Sequence, residues 1–147
     1  MLFRSAVLDR APLDGQERVL DVGCGTGRIT RLIADRLTTG RVIGVDRSPQ
    51  MLAEAALGLS DLPAARVGLV RASATALPFS GQADLVFSTA TFHWIADHDA
   101  LFRSVARALR PGGWLVAQCG GGPNLARIHG RGDALIDRKS TRLNSSH

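Results

Sequence analysis

Residues Arg18 to Arg28 read RVLDVGCGTGR, and no other stretch restricts the fold of this chain as much. Arg18 to Val22 is a short β-favouring run that feeds straight into three glycines at alternate positions, Gly23, Gly25 and Gly27. Behind them Ile29, Leu32, Ile33 and Leu37 recur at helical spacing, so the stretch predicts strand, tight glycine turn, helix. Glycines at such a turn reach φ values closed to other residues and let a ligand lie against the backbone. The first turn of the following helix offers unpaired N–H groups. A ligand site is the expectation.

The rest of the chain repeats the alternation. Leu2, Phe3, Val7 and Leu8 suit a short amphipathic helix ending near Pro12, and Asp14-Gly15 is a turn signal. The helix behind the glycines is expected over about Thr26 to Thr39, stopping at Gly40. Arg41 to Asp46 is the second strand, ending in an acid. Ser48-Pro49 then reads as N-cap and first helical residue of a helix reaching about Leu57. Arg66 to Val70 is the third strand, Leu77-Pro78-Phe79 an irregular segment with a buried look, and Asp84 to Ser88 the fourth strand. Asp97 opens a helix that carries Leu101, Phe102, Val105, Ala106 and Leu109 on one face and closes at Pro111-Gly112-Gly113. Trp114 to Gln118 is the fifth strand, Gly120 to Asn124 a loop, and Leu125 to His129 a possible helix start.

Strands that read as apolar runs, separated by helices at short intervals, predict an α/β fold with a parallel sheet covered on both faces. Ligands of open α/β sheets bind at the strand C-termini. That edge carries Gly23 to Gly27, Asp46, Ala72 to Ala74 and Ser88 to Trp94.

Composition narrows the class. The 147 residues are about one domain's worth. No run of eighteen or more apolar residues exists, which speaks against a membrane span, and residues 1–17 lack the pattern of a secretory signal, so a cytoplasmic location is expected. Formal net charge is +5, but Arg138, Lys139 and Arg142 supply three of those units; residues 1–137 hold 15 basic and 13 acidic side chains. No basic stripe with interleaved aromatics appears, so no nucleic-acid partner is expected. Cys24 and Cys119 have no second pair to make a metal cluster, and no metal is expected. They read as small core residues, with a disulfide or a ligand-facing thiol as alternatives. Residues 138–147, RKSTRLNSSH, are polar and unpatterned and carry the chain's one lysine. They read as a foreign tail, with a native disordered tail as the other reading.

Two ligand types use a glycine-rich first turn followed by an acid after the second strand. A dinucleotide site wants G-x-G-x-x-G; here the spacing is G-x-G-x-G, and Arg28 stands where the third glycine belongs. A P-loop is excluded because no Gly-Lys-Ser or Gly-Lys-Thr follows. Instead LDVGCGTG at Leu20 to Gly27 resembles the first motif of the class I S-adenosylmethionine-dependent methyltransferases. The resemblance continues through VIGVDRSPQML, ALPF, DLVFSTATFHWI and LRPGGWLVAQCG, over about residues 15–128, and within the family the stretch from Phe92 to Ile128 is similar to trans-aconitate methyltransferase-like proteins.

That resemblance implies a Rossmann-like, doubly wound, mostly parallel sheet, S-adenosyl-L-methionine as cofactor, and methyl transfer to a small-molecule acceptor, a carboxylate being one option. It implies that Gly23, Cys24, Gly25 and Gly27 line the cofactor with Asp21 behind the loop. Asp46 would accept hydrogen bonds from the ribose hydroxyls, with Arg47 and Met51 beside the adenine. A capping or surface acid is the bland alternative for Asp46. Where relatives often carry Asp-Ala before Leu-Pro-Phe, this chain has Ser73-Ala74, a shorter and neutral acceptor for the adenine amino group. Ser88 and Ala90 would border the cofactor, while Thr91, Phe92, His93 and Trp94 would form the acceptor pocket. His93 stays open between general base, shape or hydrogen-bonding role, and plain packing; Trp94 stays open between wall and cation-facing ring. The family's sheet has seven strands, so with about five readable here the domain, 1–128 with an uncertain end over 129–137, is expected to be incomplete and its fifth strand to expose an edge. Two rivals stand beside methyl transfer. They are a noncatalytic fold relative acting as a binding or scaffold protein, and a nucleotide-cofactor oxidoreductase, against which Arg28 speaks.

Overall fold

A computed structural model describes residues 8–89, 95–119 and 122–127. The elements are β1 (Arg18–Val22), α1 (Arg28–Asp35), β2 (Arg41–Asp46), α2 (Pro49–Gly58), β3 (Val67–Arg71), a 3₁₀ turn (Ala74–Ala76), β4 (Ala83–Thr89), α3 (His98–Ala108), β5 (Leu109–Cys119) and β6 (Gly122–Arg127). They build one six-stranded sheet in the order β3-β2-β1-β4-β5-β6. The first five strands pair in parallel, and β6 returns antiparallel along β5. This is the expected α/β, doubly wound architecture. The order in which strands are added reverses at β1, where one set of crossovers leads out to β2 and β3 and the next strand, β4, docks on the other side. Open sheets of this kind leave a crevice at such a point.

Two apolar layers hold the sheet. On one face Ile29, Ile33, Ala34 and Leu37 pack on Val19, Val42, Leu85 and Phe87, together with Leu8. On the other, Leu101, Val105 and Ala106 of α3 and Leu77 pack on Leu20, Val22, Val86 and Leu115. An eight-residue helix such as α1 does not persist alone in water. Its fully buried Ile33 contributes on the order of 2 kcal/mol by leaving water, and such contacts hold it in place. The remainder of the expected N-terminal helix lies outside the described residues.

Four boundaries differ from the sequence reading, each for a visible reason. Helix α1 starts at Arg28, not Thr26, because Gly27 sits at φ 85 and cannot be helical; it ends at Asp35, and Thr38, Thr39 and Gly40 all turn their N–H groups onto the Gly15 carbonyl. Helix α3 does not run to Pro111: Leu109 is already extended at ψ 141 and opens β5, with a register shift opposite Ala83 to Leu85 absorbing Pro111-Gly112-Gly113. The expected loop and helix start over 120–129 is corrected by β6, whose residues Gly122–Arg127 pair with Trp114–Cys119. The described sheet therefore has six strands, not five, and β5 is paired on both sides, not bare. The 138–147 tail lies outside the described residues.

Candidate functional site

The glycine turn sits where β1 ends in the middle of the sheet. Gly23, Gly25 and Gly27 adopt φ values of 78, 55 and 85, a region that L side chains rarely occupy. The amides of Gly23 and Cys24 both donate to the Val45 carbonyl, at 2.7 and 3.0 Å, so the β1–β2 ladder extends one step into the loop. A side chain at Gly25 would meet nothing within 4 Å, which leaves the crown of the loop open for a ligand to approach. Gly27 is different. A Cβ there would come within 3.0 Å of Leu59 and 3.2 Å of Ala55, so this glycine lets the start of α1 pack against the end of α2.

Asp46 closes the loop onto β2. Its Oδ2 accepts from the Gly25 amide at 2.9 Å and its Oδ1 from the Ser48 amide at 2.9 Å. The carboxylate thus holds the glycine turn and the entry to α2 together, while each oxygen keeps a second lone pair for a hydroxyl donor. The capping reading of Asp46 and the ligand reading are compatible in this geometry. Ser48 caps α2 through the Met51 amide at 3.3 Å, with Pro49 at the first helical position, as expected.

Beneath the loop, Asp21 is buried and accepts the Thr30 hydroxyl at 2.7 Å, which ties β1 to α1. Cys24 is also buried; its Sγ would lie 3.0 Å from a Cβ at Gly44, so the thiol fills the space over β2 that a side chain at 44 would take. Burial pushes its pKa up to about 12, and the charges of Asp21 and Asp46 push in the same direction. The small-core reading of Cys24 describes its side chain; only its backbone belongs to the loop surface.

A cleft of about 330 Å³ opens at this edge, within the size range of small-ligand sites. Five residues singled out from the sequence line it: Gly23, Asp46, Arg47, Ser73 and Ala74. Arg71 braces the segment by donating from Nε to the Arg47 carbonyl at 3.2 Å. The Ser73 hydroxyl accepts from the Thr75 amide at 3.3 Å and lies 2.9 Å from the Thr75 hydroxyl, so it caps the 3₁₀ turn. Met51 is exposed on α2 and does not line the cleft. Ser88, expected at the cofactor, is buried and donates to the Val22 carbonyl at 2.8 Å; it fastens β4 to β1 below the cleft and does not line it. Ala90, Thr91, Phe92, His93 and Trp94 lie outside the described residues.

Ala72 and Thr89, on the sheet edge expected from the sequence to bind a ligand, also line the cleft; sequence reasoning missed Val22, Val45 and Ile95, which complete the lining. The signal was available for two of them: Val22 and Val45 are at the ligand-side ends of strands, where a last apolar residue faces the crevice as readily as the core. Among the described residues no group of three or more His, Cys, Asp or Glu is placed to hold a metal ion, and no helix is long and apolar enough to cross a membrane.

Residues 20–117, more than half of the chain, match the family described as a methyltransferase domain. The chain belongs to that family. Among curated relatives, the trans-aconitate 2-methyltransferase of Azoarcus sp. strain BH72 is 41% identical over 112 residues, 76% of this chain and 42% of that protein. The chain thus spans about two-fifths of the length of the curated relatives it matches. Among solved structures, phosphoethanolamine N-methyltransferase 2 of Haemonchus contortus, in complex with S-adenosyl-L-methionine, superimposes with a TM-score of 0.71 at 35% identity, covering 78% of this chain and 27% of that one. The [4+2]-cyclase SpnF also superimposes with a TM-score of 0.71, at 29% identity, covering 78% of this chain and 42% of that one. The methyltransferase domain described here therefore has the fold of proteins that bind S-adenosylmethionine.

Proposed function

We propose that this domain binds S-adenosyl-L-methionine in the cleft between the glycine loop and Asp46 and serves methyl transfer to a small-molecule acceptor of the carboxylate class. The observation that carries the reading is the convergence of Gly23, Asp46, Arg47, Ser73 and Ala74 on one cleft at the point where the strand order reverses. The residues present fit the cofactor: a side-chain-free loop crown over Gly25, a carboxylate with spare lone pairs at the end of β2, and a pocket of suitable size. When bound, the sulfonium supplies an electrophilic methyl carbon.

The chain's own residues bind and orient. Asp46 receives the ribose hydroxyls while holding the loop in place, and such charge-assisted bonds are about twice as strong as neutral ones. The Gly23–Gly25 backbone lies along the methionine portion. Ala74 and Ser73 face the adenine; because the Ser73 hydroxyl already serves Thr75, adenine reading falls mainly to the backbone there. By the family resemblance Ala90 would border the cofactor, and Thr91, Phe92, His93 and Trp94 would shape the acceptor site. A carboxylate acceptor arrives ionised and asks no base of His93, so positioning carries most of the rate. The name of the Azoarcus relative favours the carboxylate class, and that of the Haemonchus structure makes an amine acceptor the arm to test against it.

Calorimetric titration of S-adenosylmethionine and S-adenosylhomocysteine into the 147-residue chain tests the site. Binding is expected, with at least a tenfold loss in Asp46→Ala and a smaller loss in Asp46→Asn, which keeps one oxygen acceptor for the loop. A folded chain that binds neither ligand, or an Asp46→Ala chain that binds as well as wild type, refutes the assignment. Turnover is a separate question, since SpnF is a cyclase on the same fold. It is answered by an acceptor screen: S-adenosylhomocysteine release on addition of small polycarboxylic acids, and not of phosphorylated amines, is the expected result. Binding without any turnover supports the noncatalytic reading.

A further inference from the structure

The opposite edge of the sheet, where β1, β2 and β4 begin, carries a second cavity of about 280 Å³. Its apolar wall is Leu20, Ile43 and Phe79, and its polar groups are Arg18, Arg41 and Gln82. Arg18 and Arg41 stand directly opposite each other in the β1–β2 ladder. Alternation along the strands places both on the face of Leu20 and Ile43. Like charges in directly opposed positions destabilise a sheet, and here nothing of the described protein offsets them. Arg31, Arg36 and Arg110 close onto Asp61, Asp9 and Asp84, and Arg66 and Arg107 close onto backbone carbonyls. The Arg18 and Arg41 guanidinium groups make no hydrogen bond or ion pair among the described residues. The neighbouring acids are already engaged: Asp84 accepts from Arg110 and from the Arg18 amide, and Glu17 accepts from the amides of Asp14 and Gly15.

The adjoining strand makes room for one of these cations. A Cβ at Gly68 of β3 would come within 2.8 Å of the Arg41 Nη2, so the guanidinium lies across a bare stretch of backbone at the rim of the cavity. The result is an apolar pocket with an amide, two uncompensated guanidinium groups and no acid lining it.

We propose that this cavity binds a small amphipathic carboxylate, an acid whose apolar body is one ring or a few carbons. The planar guanidinium fork matches a carboxylate through two parallel N–H bonds, and the Leu20, Ile43 and Phe79 wall takes the body. The five residues of β1 put this site roughly 16 Å from the glycine loop. That separation is too large for direct attack across it, so the ligand is an effector or a stabiliser and not the methyl acceptor, and the inference stands whether or not the methyl-transfer reading does.

Phenylacetate, its neutral analogue phenylacetamide, and inorganic phosphate are titrated into the uniformly ¹⁵N-labelled 147-residue chain, with an Ile methyl label to follow Ile43. Phenylacetate is expected to shift the amides of residues 18, 41, 43 and 82 and the Ile43 methyl to saturation, with phenylacetamide and phosphate at least tenfold weaker. Arg41→Gln and Arg18→Gln are each expected to weaken phenylacetate at least tenfold while leaving the dispersion of the spectrum unchanged. Equal binding of acid and amide, or unchanged binding in both variants, overturns the site. So does a dispersed wild-type spectrum that phenylacetate leaves unmoved. A wild-type spectrum without dispersion removes the sheet edge on which the site is built and overturns it as well.

Discussion

At Asp46 one carboxylate does what two residues do in many loops: it accepts the Gly25 amide with one oxygen and the Ser48 amide with the other. Its position at a strand end is visible in the sequence, but these bonds depend on the loop folding back over β2. Cys24 beside it supplies a pH prediction. The folded thiol keeps its proton to about 12, whereas a thiol in the unfolded chain loses it near the ordinary value of 9.0. Between those values the folded state binds more protons, so stability falls as pH rises; the contribution of Cys24 is fully present below about pH 9 and is lost toward 12. Urea midpoints at pH 8 and pH 10.5 are expected to separate more for wild type than for Cys24→Ala. At pH 8 the native Cys24 thiol is expected to resist iodoacetamide that modifies it in denaturant, as peptide mass spectrometry reads directly. The glycine triplet was legible as a turn, yet which glycine opens toward a ligand and which packs was not: Gly25 and Gly27 look alike in sequence and differ only in what stands beside them.

Among the elements, α3 has a task beyond its apolar stripe. Leu77 is fully buried in a segment that belongs to no strand, so its backbone groups need partners from elsewhere. Ser104 accepts its N–H at 2.8 Å, and Arg107 donates to its carbonyl at 2.8 Å. Removing the buried acceptor strands the Leu77 amide, and Ser104→Ala is expected to lower unfolding free energy by about 1–3 kcal/mol. Arg107→Ala removes an exposed side chain and leaves a path for water to reach the Leu77 carbonyl, and is expected to cost less. Denaturant midpoints of the two variants check the order. The buried look of 77–79 was readable from its residue types; the helix that satisfies it was not, because Ser104 lies 27 residues away. Strand β6 was hidden for another reason. Gly122, Pro123 and Asn124 are poor strand residues by propensity, and pairing with β5 overrides it at a sheet edge, where a proline is tolerated.

For the whole molecule, the two cavities lie at opposite ends of the same strands, and this separation makes a prediction about stability. S-adenosylhomocysteine present at a hundred times its dissociation constant is expected to add about 2.7 kcal/mol to the folded state, a rise of several degrees in Tm, absent in Asp46→Ala. The apolar strand runs alternating with helices made the parallel pairing of β1 to β5 legible; the order of the strands was not. Strand neighbours depend on contacts far apart in sequence. All the described residues that line the cleft proposed to bind the cofactor fall between Val22 and Ile95, ahead of β5 and β6. A gene that inherits this one uninterrupted stretch inherits the described grip on the ligand, and descent with change of reaction is free to work on the remainder without rewriting it.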